Sequence, residues 1–148
     1  MEQLPYIDEH SIVVAASREQ VWGALGRTLR KDLSRTAPAP LTGLLRLVPA
    51  VSHGDWLGTP SSGDTLPGFV VAEVHAPERL ALRGRHRFSR YALLFELEAT
   101  SAASCTLRAR TWAEFPGLTG SAYRALVIGT RGHRLVVRRL LRNVSRRV

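Results

Sequence analysis

The chain has 148 residues, of which 45% are hydrophobic and 22% charged, a composition typical of a folded globular protein and not of a disordered chain. No apolar run reaches the ~20 residues needed to cross a bilayer, and the N-terminus lacks the pattern of a secretory signal. Cys105 is the only cysteine, which excludes an internal disulfide and favours a cytoplasmic location. The formal net charge of +9 comes almost entirely from arginine, because Lys31 is the only lysine.

The first two predicted elements are a strand and a helix. Residues 10–16 form a short, β-branched, apolar run that predicts a strand. Ser17 then opens the sequence SREQ, a capping box in which Ser17 caps the helix and Gln20 reaches back. The spacing predicts that one face of this helix is buried, and that face carries Val21, Trp22, Leu25 and Leu29.

Residues 30–68 carry the weakest pattern in the chain. Pro38 and Pro40 favour a second short helix through the leucines at 41–47, with a strand as the alternative. The stretch 52–68 is rich in Gly, Ser, Pro and Asp, which predicts loops around at most one short strand. A long loop holding a tryptophan is typical of a lid or, more often, of a plain connection.

Strands are predicted at 69–77, 80–88, 91–99 and 105–115. Because only two residues separate the second and third of these, they should form a tight hairpin. The expected cross-strand pairs are Phe88 with Tyr91, His86 with Leu93, Gly84 with Phe95 and Leu82 with Leu97. All of these side chains share one face, so the register and the hydrophobic pattern agree.

The basic charge has both a functional and a structural interpretation. It is typical of proteins that bind nucleic acid or anionic membranes, although an arginine-rich genome would give the same excess. Pairing Leu97 with Leu107 predicts a charge ladder of Arg83, Glu96 and Arg108 on the outer face of the sheet. Such a ladder gives part of the excess a structural role and argues against nucleic acid as a partner.

The segment from Pro116 to Val148 predicts one long C-terminal helix, roughly 40 Å in length at a rise of about 1.5 Å per residue. Its arginines at 124, 131, 138 and 142 fall on the outer side. Val127, Ile128 and Leu135 also project away from the apolar arc and raise the prospect of a homodimer. The predicted apolar arc carries Leu118, Ala122, Leu126, Gly129, His133, Val136, Val137, Leu140 and Val144.

This order of elements has the first strand and the capped helix at 12–25, the central meander at 63–98 and the closing helix at 115–142. It resembles the helix-grip fold of the START/Bet v 1-like superfamily, also called SRPBCC or polyketide cyclase/dehydrase-like proteins. The resemblance implies an α+β chain forming a single domain over 1–148, with a curved antiparallel sheet wrapped around a long C-terminal helix. It also implies an apolar cavity between sheet and helix. It carries over no catalytic residue, because the superfamily has no common catalytic motif.

His133 and His86 are the polar residues expected on the inner faces, and each has two interpretations. Either can be a structural histidine with a hydrogen-bond partner, or a polar contact for the head group of a ligand. Gly129 and Gly132 lower the helix propensity of the closing segment. Close approach of the sheet, room for a ligand or a local kink would explain why glycine stands at these positions. The expected cavity-lining residues are His86, Phe88, Tyr91, Phe95, Tyr123, Leu126, Gly129, His133 and Val137.

The sequence therefore favours a protein that binds a hydrophobic small molecule, whether lipid-like, aromatic or polyketide-like. No metal site and no cofactor are expected, because the histidines lack a third ligand at a suitable spacing. The first alternative is a polyketide cyclase- or dehydratase-like enzyme that uses His86, His133 or a tyrosine as acid–base. The second is a basic module that docks transiently on an anionic membrane surface or on nucleic acid.

Overall fold

The structure of the protein is a computed structural model that describes residues 4–33, 52–86, 89–125 and 132–148. The predicted helix or strand at 38–47 lies outside these residues. The strands are β1 (Tyr6–Val14), β2 (Thr65–Leu66), β3 (Phe69–His75), β4 (Arg79–His86), β5 (Ser89–Ser101) and β6 (Ser104–Glu114). The helices are α1 (Arg18–Leu33), α2 (Gly117–Arg124) and α3 (Gly132–Arg146).

The strands form one curved antiparallel sheet in the order β1-β6-β5-β4-β3-β2. Its inner face is covered by α1 and α3, and the buried side chains of sheet and helices form a common hydrophobic core. β1 starts earlier than predicted, because Tyr6, Asp8 and Glu9 also pair with β6, and it ends at Val14. The architecture is the α+β helix-grip arrangement expected from the sequence.

The register of the sheet confirms one predicted pairing and corrects the other. Leu97 lies opposite Leu107, as predicted for β5 and β6. In the β4–β5 hairpin, however, Phe95 lies opposite Leu80 and not opposite Gly84, and the connection falls at 87–88 instead of 89–90. The shift of four residues is even, so every side chain stays on its predicted face. For this reason the hydrophobic pattern could not distinguish the two registers.

The predicted capping box is present at the start of α1. The backbone N–H of Ser17 donates to Gln20 Oε1 (3.0 Å), and the backbone N–H of Gln20 donates to Ser17 Oγ (3.2 Å). These two bonds satisfy donors that a helix leaves unpaired at its first turn. The helix that follows buries the predicted residues Val21, Trp22, Leu25 and Leu29.

Replacing Ser17 with alanine should lower the free energy of unfolding by about 1 kcal/mol, because the N-terminal turn loses its side-chain acceptor. Urea denaturation followed by circular dichroism would measure the change. Ser17→Asp is the matched control and should retain most of the stability, since aspartate also caps helices. An equal loss in both variants would contradict a capping role.

The loop region before β3 is held by a buried tryptophan. Trp56 is 2% exposed, and its indole N–H points to the carbonyl oxygens of His53 (3.2 Å) and Thr65 (3.1 Å). Within the described residues 52–68, β2 is a strand of two residues, in agreement with the prediction of at most one short strand. Trp56 therefore belongs to the core and holds the loop against the sheet.

The C-terminal segment contains two described helices, α2 and α3, while residues 126–131 between them lie outside the described part of the chain. Continuity of the long helix therefore stays a prediction. The assignment of two residues to the apolar arc is wrong, because Val136 is 59% exposed and Ala122 is also exposed. At 100° per residue, position 136 lies about 90° from the centre of the buried face. That face carries Val137, Leu140, Leu141 and Val144.

Polar contacts fix the end of α3 against α1. The Asn143 side-chain amide donates to Asp32 Oδ2 (2.8 Å), and the guanidinium of Arg147 donates to Asp32 Oδ1 (3.1 Å). Arg27 in turn donates to the backbone carbonyl of Arg147 (3.0 Å). Together with the apolar contacts of α3 on α1, β1 and β6, these bonds hold the C-terminal part of the helix over one end of the sheet.

Ion pairs cover the outer face of the sheet, but their members differ from the predicted ladder. Glu96 and Arg108 are register partners, yet Arg108 pairs with Glu98 (2.8 Å) and Glu96 pairs with Arg110 (3.1 Å). Arg83 lies opposite Ala92 and is not part of the network. Long side chains reach diagonal neighbours as well as direct ones, which explains the exchange of partners. Part of the arginine excess is therefore engaged in this surface network.

Candidate ligand-binding site

Burial changes along the inner face of the sheet. On β5, Phe95 and Leu97 are buried, whereas Tyr91 and Leu93 on the same face are only half-buried. Phe69, on the same face of β3, is half-buried as well. β5 is a central strand, so half-buried apolar side chains near its start show that the core packs less completely against this end of the inner face. We call the half-buried Phe69, Tyr91 and Leu93, together with the buried Thr111 opposite Leu93, the open end of the inner face.

Two aromatic rings form one side of the open end. The rings of Phe69 and Tyr91 meet edge to face, with centroids 5.1 Å apart and an interplanar angle of 63°. The Tyr91 hydroxyl donates to the backbone carbonyl of Gly68 (2.7 Å), which fixes the orientation of the ring. Gly84 lies opposite Tyr91 in the register, and the Gly68 carbonyl and the edge of the Tyr91 ring occupy the space that a side chain would take there. The result is an oriented aromatic surface.

Thr111 provides a hydroxyl at the same end. It lies opposite Leu93 of β5 and opposite Asp8 of β1, and the residue is 5% exposed. Its Oγ1 has no hydrogen-bond partner among the described residues. Leaving a buried hydroxyl unpaired costs roughly 1–3 kcal/mol. A polar atom of a bound molecule near Leu93 would recover part of that free energy.

The described side chains include three of the predicted cavity-lining residues. Tyr91 lies at the open end, whereas Phe95 and Val137 lie in the packed core, at 0% and 5% exposure. Three more candidates have a described backbone but no described side chain. They are His86 in β4, Tyr123 in α2 and His133 in α3. Outside the described part altogether lie Phe88, Leu126 and Gly129.

Three residues of the open end were not predicted as site residues. Leu93 was assigned to the correct face, but nothing in the sequence distinguished it from the fully buried Phe95. Phe69 and Thr111 come from strands on either side of β4 and β5, so their proximity depends on the sheet order. The alternation of β6 does place Thr111 among the apolar inner residues, and that signal could have identified it.

The described side chains give no sign of a nucleophile or a metal centre. Burial raises the pKa of the Cys105 thiol, which keeps it protonated at neutral pH and poorly nucleophilic. Among the residues that the structure describes, no group of three histidine, cysteine or acidic side chains is placed to hold a metal ion. In the same residues, no helix combines the length and apolarity that crossing a bilayer requires.

No protein-family model matches the sequence, and no curated protein sequence matches it either. Solved structures do match. A truncated norcoclaurine synthase from Thalictrum flavum has a TM-score of 0.55 at 15% identity, with 98% of this chain and 96% of that chain covered. CalU16 from Micromonospora echinospora has a TM-score of 0.54 at 14% identity, with 93% and 80% covered.

A conserved protein from Geobacillus kaustophilus gives a similar result, with a TM-score of 0.53 at 14% identity over 93% of this chain and 91% of that chain. Similarity at this level of identity concerns the fold and extends over nearly the whole chain. The synthase belongs to the Bet v 1-like proteins, whose architecture agrees with the sheet order and the closing helix described above. The chain therefore has a helix-grip fold similar to that of these solved structures.

Proposed function

We propose that the protein binds a hydrophobic small molecule at the open end of the inner face, between the sheet and the closing segment. The observation that carries this proposal is the contrast along β5, where buried Phe95 and Leu97 give way to half-buried Tyr91 and Leu93. Ligand sites of this kind are concave and mostly apolar, with a few polar groups that orient the ligand. The open end has this composition, with the Thr111 hydroxyl as the polar group.

The aromatic surface favours a ligand that contains a ring. The edge-to-face arrangement of Phe69 and Tyr91 leaves ring edges and faces that an aromatic ligand can stack against. A structure of norcoclaurine synthase from Thalictrum flavum contains dopamine and hydroxybenzaldehyde, which are both aromatic, and its TM-score with this chain is 0.53 at 16% identity. A fold of this type therefore accommodates such molecules, which supports a ligand that contains an aromatic ring here.

His133 and His86 remain proposed contacts for the polar end of the ligand. His133 precedes the buried residues Val137 and Leu140 by four and seven positions, a spacing that shares one helix face. His86 is two residues beyond Gly84 in β4, and therefore on the face that Gly84 shares with Tyr91. The same proposal retains Phe88, Tyr123, Leu126 and Gly129 as lining residues.

Catalysis of the cyclase or dehydratase type needs an acid–base group beside the ligand. At the open end the two described hydroxyls are those of Tyr91 and Thr111, and the Tyr91 hydroxyl donates to a backbone carbonyl. The Thr111 hydroxyl is a weak acid and a weak base at neutral pH, which makes it a poor group for proton transfer. We therefore propose binding, not turnover, as the function of this site.

Leu93→Trp should weaken the binding of a neutral apolar dye, N-phenyl-1-naphthylamine, by about tenfold or more, because the larger side chain fills the open end. Fluorescence titration would measure the change. Leu135→Trp, on the solvent side of α3 where Leu135 is 65% exposed, is the matched control and should bind as the unmodified protein does. Equal dye affinity in all three proteins would contradict the proposed site.

A further inference from the structure

A second depression lies between the edge strand β1 and helix α3. Its volume is about 360 Å³, and it is lined by residues 9–12 of β1 and by Arg138, Leu141 and Arg142 of α3. This volume is within the range of small-molecule sites, roughly 300–1,000 Å³. The strand order separates it from Phe69, because β6, β5 and β4 all lie between β1 and β3. We call it the β1–α3 groove.

The helix side of the groove is positively charged. Arg138 and Arg142 are four residues apart, so their side chains leave the same helix face roughly 6 Å apart. Both are exposed, and neither forms an ion pair with a described residue. Glu9 on the strand side is already engaged, because its carboxylate accepts from Arg110 (2.7 Å). The charge that the groove offers to a ligand is therefore that of two guanidinium groups.

The strand side of the groove is held in place by a histidine–carboxylate pair. His10 Nε2 lies 3.1 Å from Asp8 Oδ2, and the two side chains are only 12% and 14% exposed. Ile12 and Leu141 add an apolar floor, since Ile12 packs against the core and Leu141 belongs to it. The groove thus combines an apolar surface, an oriented imidazole and two cationic groups on one helix turn.

We propose that the β1–α3 groove binds the carboxylate of an apolar monocarboxylate, at a site separate from the open end of the inner face. The guanidinium groups of Arg138 and Arg142 hold the carboxylate, because their planar donors match its two oxygens. The apolar part of the ligand lies over Ile12 and Leu141. A phosphate dianion fits less well, because the Glu9 carboxylate on the strand side of the groove repels its larger negative charge more strongly than that of a carboxylate.

Decanoate, decyl phosphate and decanol, each below its micelle concentration, test the proposal on the full chain. We expect decanoate to bind, decyl phosphate to bind more weakly and decanol to bind at least about tenfold more weakly than decanoate, because only the charged ligands engage the arginines. Calorimetry measures the affinities. The NMR signals of the His10 imidazole, assigned with His10→Gln, should shift with decanoate and report that the ligand is in the groove.

Arginine variants locate the site. Arg138→Ala/Arg142→Ala should weaken decanoate binding by about tenfold or more. Arg139→Ala removes an exposed arginine that does not line the groove and should leave the affinity within about twofold. Leu93→Trp should also leave decanoate affinity unchanged, so the result is independent of whether the open end binds the neutral dye.

Three results would overturn the proposal. Equal affinities for decanol and decanoate would show that charge is not recognised. Tighter binding of decyl phosphate would assign the groove to a phosphate ligand. Loss of decanoate binding in Leu93→Trp, with retention in Arg138→Ala/Arg142→Ala, would place the carboxylate at the open end instead.

Discussion

Gly84→Ala should lower the free energy of unfolding by about 3 kcal/mol or more, because β4 has no room for a methyl group at this position. A Cβ at Gly84 would overlap the carbonyl oxygen of Gly68 and lie 2.7 Å from Cε2 of Tyr91. The first of these atoms belongs to the backbone and cannot rotate away. The turn before β3 would have to move, and the hydrogen bond from Tyr91 to Gly68 would be broken or lengthened.

Gly23→Ala is the matched control for this variant. Gly23 lies within α1, and a Cβ there would meet only the end of the Arg27 side chain, at 3.2 Å. That flexible side chain can move, and alanine favours a helix by roughly 1 kcal/mol over glycine. Thermal unfolding should therefore show the two variants shifting in opposite directions. A Gly84→Ala protein as stable as the unmodified protein would show that the turn does not press on β4.

Phe95→Ala should lower the free energy of unfolding by about 3–5 kcal/mol, because Phe95 is 0% exposed and its removal leaves a cavity in the core. Leu93→Ala, two residues away on the same face, should cost only about 1–2 kcal/mol, since Leu93 is half-buried and its surroundings are already partly open. The two substitutions therefore measure the difference between the packed and the open end.

Denaturant unfolding of both alanine variants provides the measurement, with dye binding as the second readout. Leu93→Ala should remain folded at 25 °C and show altered affinity for N-phenyl-1-naphthylamine. Similar losses of stability at positions 93 and 95 would mean that the inner face is packed uniformly, which would count against a ligand site at the open end.

Local features of the fold could be predicted from the sequence. The capping box at Ser17 involves residues three apart, and helix geometry alone determines its bonds. The strands β3 to β6 were predicted within about two residues, because alternating polarity is a local pattern. The pairing of Leu97 with Leu107 followed from the short connection between β5 and β6.

Features that depend on distant residues could not be predicted to the same extent. The register of the β4–β5 hairpin was wrong because an even shift leaves the hydrophobic faces unchanged. The ladder partners of Glu96 changed because Arg110 is close enough on the neighbouring strand to compete with Arg108. Val136 was assigned to the buried face of α3, although α1 and β1 cover an adjacent part of the helix.

The candidate site likewise contains one residue that a local pattern predicts and others that depend on the arrangement of distant strands. Tyr91 was predicted as a lining residue because the alternation of β5 directs it inward. Thr111 and Phe69 approach Leu93 and Tyr91 only through the order of the strands, which one sequence does not specify. The β1–α3 groove combines residues that are more than 120 positions apart in the chain, and its histidine–carboxylate pair had no signal in the sequence beyond the spacing of Asp8 and His10.

The pairing of β1 with β6 has a consequence for the order of folding. Residues 8–14 of β1 lie opposite residues 105–111 of β6, so this pairing closes a loop of roughly 90–100 residues, which carries a large entropic cost. During synthesis the first strand leaves the ribosome long before its partner exists, whereas β3 to β6 are joined by short connections and can pair as they emerge. Contacts of long sequence separation slow folding. We therefore expect the N-terminal strand to join a meander that is already formed and to complete the sheet last.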